Sequence, residues 1–125
     1  MPKRALITVI TGMVGSHLAD HLLADTDWDL WGMARWRSPM DNIGHLSERI
    51  NNRDRVFLVH GDLRDSLSLL TAVEAAEPDV VFHLAAQSYP KTSFDAPIET
   101  YDTNVEGTSR LMEAIKRVAP QAVVH

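Results

Sequence analysis

The chain contains no cysteine, which excludes disulfides as a source of stability and thiolate metal sites as a source of chemistry. It has no apolar run approaching the roughly 20 residues that a bilayer-spanning helix needs, so no membrane partner is expected. Positive charge is in deficit: 12 Lys and Arg stand against 17 Asp and Glu, a formal net charge of −5. General attraction to nucleic acid is therefore not expected, although a local basic pocket remains compatible with that balance. Low-complexity segments, interdomain linkers and solenoid-type repeats are missing. No pair of carboxylates suggests glycosidase chemistry. The start, Met1-Pro2-Lys3-Arg4, runs straight into a strand-like segment and leaves no room for a signal peptide. The expectation is a soluble, cytoplasmic protein.

What is present is ordinary globular composition. The 125 residues are 45% hydrophobic and 23% charged, enough for one domain over residues 1–125 with a core of its own. Ala5 to Ile10 is a β-branched apolar run without polar alternation, which predicts a strand covered on both faces. Met13 to Ala24 places Val14, Leu18 and Leu22 at helical spacing beside Ala19 and Leu23. Trp28 to Ala34 reads as a second strand interrupted by Gly32, and Arg35 to Gly44 as a loop. Asp41 or Asn42 is placed to cap a short helix through Ile50. Arg55 to His60 reads as a third strand. Asp65 or Ser66 caps a helix carrying Leu67, Leu70 and Val73, which ends near Glu77-Pro78. Val80 to Leu84 reads as a fourth strand and Ala85 to Pro97 as a loop. Ile98 to Ala119 repeats apolar residues at helical spacing (Tyr101, Val105, Leu111, Met112, Ile115, Val118). Pro120 stops that helix, and Ala122 to Val124 starts a fifth strand.

Strands alternating with helices predict an α/β fold with a parallel sheet. The expected architecture is a Rossmann-like, doubly wound sheet of order 3-2-1-4-5, truncated after strand 5, with the topological switch between strands 1 and 4.

Where strand 1 meets the first helix, Thr11-Gly12-Met13-Val14-Gly15 has the makings of a phosphate-binding turn. Such a turn needs bare backbone against a pyrophosphate, close helix-to-strand packing, and helix amides aimed at the anion. Gly12 and Gly15 supply the first two. After strand 2 the sequence reads Ala34-Arg35-Trp36-Arg37-Ser38, without the acid that NAD-preferring folds place there for the ribose 2′-hydroxyl. Arg35 and Arg37 suit a 2′-phosphate, with Ser38 adding a hydroxyl, which predicts NADP as the cofactor. A solvated basic loop is the competing reading.

The segments TGMVGSHLADHLL, GDLRDSLSL, PDVVFHLAAQS and SFDAPIETYDTNVEGTSRLMEAI resemble extended short-chain dehydrogenases, most closely GDP-mannose 4,6-dehydratases. The resemblance covers nearly the whole chain. That family carries glycine where this chain has Val9. Either Val9 simply extends strand 1 and the turn tolerates it, or it obstructs the cofactor or re-routes strand 1 into the first helix. A requirement for positive φ there would make valine costly.

The resemblance implies that Asp62 stands beside the adenine amino group with Leu63 against the ring. A turn or capping aspartate is the alternative for Asp62. It also implies that Leu84, Ala85, Ala86 and Gln87 line the pyrophosphate and nicotinamide ribose, that Ser88 to Lys91 border the substrate side, and that Asn104 is a structural asparagine. His17 and His21 lie four apart but lack a third ligand, so no metal site is expected. His60 and His83 read as packed or hydrogen-bonded strand-end residues, and Trp28, Trp31 and Trp36 as packing beside the sheet.

Catalytic residues are not expected in these 125 residues. The resembling enzymes use a Tyr-x-x-x-Lys pair; here Tyr89 is followed by Lys91, and Tyr101 by Val105. The resemblance thus implies the N-terminal, NADP-binding portion of a nucleotide-sugar dehydratase, inactive alone, whose whole protein removes water from GDP-mannose. A parent epimerase or reductase, a non-catalytic nucleotide-binding module, and a self-associating Rossmann fragment with little cofactor affinity remain alternatives. An unprotected strand 5 predicts a homodimer or domain-swapped oligomer.

Overall fold

Short aliphatic and β-branched runs build five strands in the computed structural model, which describes residues 2–125 and leaves Met1 outside. They are β1 (Arg4–Ile7), β2 (Asp29–Ala34), β3 (Val56–His60), β4 (Val80–Phe82) and β5 (Val123–Val124). Between them run α1 (Met13–Asp25), a 3-10 segment over Asp41–Leu46 leading into α2 (Ser47–Asn51), and α3 (Ser66–Ala76). After β4 come α4 (Pro90–Asp95), α5 (Pro97–Tyr101), a π-helical stretch over Asp102–Glu106, and α6 (Gly107–Val118). All strand pairs are parallel, in the order β3-β2-β1-β4-β5. The predicted sheet order and the β1/β4 switch are therefore observed.

Side chains on a strand alternate between faces, and β1 sorts its residues accordingly. Leu6 joins Leu69, Val73, Val81, Leu111 and Ile115 under α3 and α6. Ala5 and Ile7 join Ala19, Leu22, Ile43 and Leu46 under α1 and the 3-10 segment. Each face of the sheet thus has its own helical layer. Asp65 caps α3 as expected, its carboxylate accepting from the Leu67 and Ser68 amides, and the helix ends at Glu77 in a left-handed conformation.

Several elements depart from the sequence reading. β1 stops at Ile7 instead of Ile10, because the chain turns: the Gly12 amide donates to the Val9 carbonyl at 3.2 Å. Gly32 does not interrupt β2. It makes room for Ile10, whose side chain a Cβ there would meet at 2.5 Å. Neither Asp41 nor Asn42 caps a helix; Asn42 reaches instead to the Thr11 carbonyl at 2.9 Å. Residues 90–95 are helical, not loop, because Pro90 takes the first-turn position where its missing N–H costs nothing. The single helix expected over 98–119 is instead α5, the π-helical stretch and α6. The buried faces also shift: Val14 and Leu67 are exposed, while Gly15 and Leu69 are covered. Tyr101, Val105 and Met112 point outward.

Candidate functional site

A cavity of about 470 Å³ opens at the carboxyl ends of the strands, where β1 and β4 part, the position at which doubly wound sheets bind ligands. It gathers Thr11, Gly12, Arg35, Ser38, Asp62, Leu63, Ala85, Ala86, Gln87 and Ser88 from segments far apart in sequence. Of the other residues singled out above, Met13, Val14, Gly15, Arg37, Leu84 and Lys91 do not line it.

The turn beneath the cavity depends on Gly15. A Cβ there would stand 2.1 Å from the Val9 carbonyl oxygen, so α1 approaches the turn more closely than any other residue allows. Gly12 is under no such constraint, since a Cβ there would meet Val9 Cγ2 at an ordinary 3.5 Å. Gly12 is the N-cap of α1 and offers no side-chain acceptor, which leaves the first-turn amides of α1 free for an anion. The side chains of Met13 and Val14 are exposed, so these residues reach such an anion only through their amides.

Val9 itself lines the cavity. Positive φ at non-glycine residues occurs at Arg53, Arg55 and Glu77, so Val9 carries no such strain. It does not extend β1 either. What it brings is side-chain bulk above Gly12.

At the end of β2, Arg35 and Ser38 face the cavity, joined by a bond from the Ser38 amide to the Arg35 carbonyl at 3.1 Å. Beyond β3, Asp62 forms a turn: its Oδ1 accepts from the Arg64 amide at 2.9 Å. The turn reading of Asp62 is thus observed, and Asp62 lines the cavity as well. Leu63 beside it is buried. Arg64 spans part of the opening, 3.6 Å from Asp62 and 3.5 Å from Glu99 of α5.

The far wall is held by a network in which His83 is hydrogen-bonded and Asn104 structural, as expected, while the Thr8 and Thr108 hydroxyls that join them were not foreseen. Thr8 Oγ1 accepts from the Leu84 and Ala85 amides at 2.8 and 2.9 Å. With both lone pairs engaged, its proton points to His83 Nδ1 at 3.3 Å. His83 Nε2–H then donates to Thr108 Oγ1 at 3.0 Å, and that hydroxyl donates to the Asn104 carbonyl at 2.6 Å. The chain of donors is complete only for a neutral imidazole, and burial lowers the His83 pKa from its ordinary 6.5. Asn104 clamps Gln87 on both sides, accepting from its amide at 2.7 Å and donating to its carbonyl at 2.8 Å. The Gln87 side chain turns away to Ser93 and Thr100 at 3.2 and 2.9 Å, which anchors α4 and α5 to this wall. The only sequence signal for Thr8 was a hydroxyl inside an otherwise aliphatic run.

The other histidines singled out from the sequence make separate contacts. His17 Nδ1 lies 2.7 Å from the Met13 carbonyl and His21 2.9 Å from Asp25, while His60 packs edge-on against the exposed Trp36. Trp31 stacks on Phe57, and Lys3 lies over Trp28.

A family model described as GDP-mannose 4,6 dehydratase matches residues 6–125. The chain is 39% identical over 119 residues to a GDP-mannose 4,6-dehydratase of Vibrio cholerae, an alignment covering 93% of this chain and 32% of that protein. It is likewise 39% identical over 119 residues to a GDP-mannose 4,6 dehydratase of Cricetulus griseus, covering 91% of this chain and 32% of that one. Among solved structures, UDP-glucose 4-epimerase of Thermus thermophilus in complex with NAD superposes with a TM-score of 0.77 at 27% identity, over 92% of this chain and 34% of that chain. The chain spans about a third of the length of the curated relatives it matches. With its sheet order, its switch-point cavity and this match along nearly all its residues, the chain belongs to the GDP-mannose 4,6 dehydratase family.

Proposed function

We propose that the cavity is the NADP(H) site of the cofactor-binding portion of a nucleotide-sugar dehydratase acting on GDP-mannose, the substrate its relatives are named for. The observation that carries this reading is convergence. A helix N-terminus without a side-chain cap, an arginine after β2 where an acid would select NAD, and the small residues Ala85 and Ala86 after β4 meet at one crevice.

In this reading the α1 amides and Gly12 hold the pyrophosphate, and Arg35 with Ser38 holds the 2′-phosphate. Asp62 and Leu63 frame the adenine. Ala85 and Ala86 admit the nicotinamide ribose, and the nicotinamide ring it carries would supply hydride chemistry when bound. Ser88 borders the sugar side. Arg37 and Lys91 flank the cavity and take no direct part. No Tyr-x-x-x-Lys occurs among the 125 residues, so this portion is assigned binding without turnover. Likeness to the NAD-complexed epimerase supports a second reading, an epimerase, but the family match and the higher identity favour the dehydratase.

Val9 crowds the pyrophosphate from below. Relief of overpacking on the order of 1–2 kcal/mol makes Val9→Gly bind NADPH roughly tenfold more tightly. The exposed Val123 on β5 supports self-association along that sheet edge, which light scattering checks; a monodisperse monomer at high concentration rejects it. Titration of the chain with NADPH, read by energy transfer from its three tryptophans, tests the reading as a whole. Saturable binding that strengthens in Val9→Gly is the expected result. Absence of binding in both proteins overturns the reading.

A further inference from the structure

We propose that Arg110 is a positioning residue for the adenine side of the cavity, acting through the Leu63 carbonyl. The inference rests on the reading of Asp62 and Leu63 as the adenine frame.

Arg110 lies on α6, outside the cavity, with its side chain 23% exposed. Its Nη1 donates to the Leu63 carbonyl at 3.0 Å and to the Asp102 carbonyl at 3.4 Å. Its Nη2 donates to Asp102 Oδ1 at 2.6 Å. One guanidinium thus ties the π-helical stretch to the turn after β3. A planar fork suits this role, because it bonds two acceptors at once in fixed geometry.

Gly107, one helical turn earlier on the same face, makes the tie possible. A Cβ at Gly107 would stand 2.7 Å from Leu63 Cβ and 3.1 Å from the Leu63 carbonyl oxygen. Bare backbone on α6 therefore presses against Leu63 where Arg110 holds its carbonyl. The turn's own bonds, from the Arg64 amide to Asp62 Oδ1 and from the Asp65 amide to the Asp62 carbonyl, fix its internal shape. Two further bonds hold the start of the turn from outside: the Gly61 amide donates to the Ala34 carbonyl of β2 at 3.1 Å, and the Asp62 amide to Ser68 Oγ of α3 at 3.1 Å. The Leu63 carbonyl is held from α6, and its placement bears on how the Asp62 carboxylate meets the 6-amino group of adenine. Hypoxanthine presents an oxygen there, which a carboxylate repels.

The test compares NADPH with its reduced hypoxanthine analogue on the full chain and on Arg110→Met, Arg110→Lys and Gly107→Ala. The original chain is expected to prefer NADPH. Arg110→Met weakens NADPH binding about tenfold, the order of one charged hydrogen bond, and brings the ratio of the two affinities close to one. Arg110→Lys, which keeps a donor for Leu63, restores part of the ratio. Gly107→Ala lowers it independently, and carries the test if Arg110→Met does not fold. Equal weakening of both nucleotides, with the ratio preserved in the folded variants, overturns the proposal and assigns Arg110 a structural role alone. No NADPH binding by the original chain overturns the cofactor reading itself, and this inference with it.

Discussion

Replacing Thr8 by valine keeps the shape of the side chain and removes one hydroxyl. Thr8 is 2% exposed, and its oxygen accepts from the amides of both Leu84 and Ala85. Valine leaves those two amides without their acceptor and His83 Nδ1 without its donor. An orphaned buried amide costs about 1–3 kcal/mol. Leu84 and Ala85 are half-buried, so the lower part of that range applies, about 2–4 kcal/mol for the pair. Against a total of about 5–15 kcal/mol for a domain of ordinary stability, this is a large fraction. Thr8→Ser is the control: it keeps the hydroxyl and loses one methyl, about 1 kcal/mol. Urea unfolding followed by tryptophan fluorescence should move the Thr8→Val midpoint down by about 1–3 M at unchanged slope, and Thr8→Ser by less than half as much. Equal midpoints for the two variants would refute the role given to the hydroxyl.

Gly15→Ala places a Cβ against the Val9 carbonyl at 2.1 Å, so the turn must shift. A loss of about 2–4 kcal/mol is expected in urea unfolding, together with weaker NADPH binding; Gly12→Ala, which meets only ordinary contacts, should cost far less. Stability should also depend on His83. Its folded pKa is lowered by burial, so the unfolded chain takes up this proton first as pH falls. Stability is then full above about 6.5, decreases as pH drops from there toward the folded value, and levels off below it. Urea midpoints at pH 7.5 and 5.5 measure the slope, and His83→Gln should flatten it; an unchanged slope counts against the neutral relay. Severing the Gln87 clamp with Asn104→Ala should raise hydrogen-exchange rates in residues 84–89, while exchange in β2 stays as it was.

The layered sheet was legible because its signals are local and repeated. Aliphatic runs such as Val80 to Phe82 and a capped helix such as α3 follow from residues within one element. What escaped prediction depends on distant partners. β1 gives up Thr8, Val9 and Ile10 because Gly15 and Gly32, from elements on either side, let the turn close there. The helix over 98–119 keeps its apolar period in sequence, yet a π-helical stretch interrupts it where Asn104 clamps Gln87 and Arg110 holds Asp102. Most of the candidate site residues reach the cavity because they follow strand ends, and strand ends are readable. Thr8, Asn42 and Arg64 were missed because each acts on a segment far away in sequence or lies across the opening. Arg37 and Lys91 carry charge near the right strand and loop, but charge does not specify direction, and neither lines the cavity.

In the proposed reading, Arg35 and its neighbours hold a 2′-phosphate, so the cavity takes NADP. Isothermal titration of NADPH and NADH into the chain and into Arg35→Glu tests it directly. Loss of a charge-assisted hydrogen bond of about 1.5–3 kcal/mol predicts that the original chain prefers NADPH by roughly ten- to a hundredfold, and that Arg35→Glu abolishes the preference while NADH affinity holds. Equal affinities for the two nucleotides in the original chain, or a preference that survives Arg35→Glu, would contradict it.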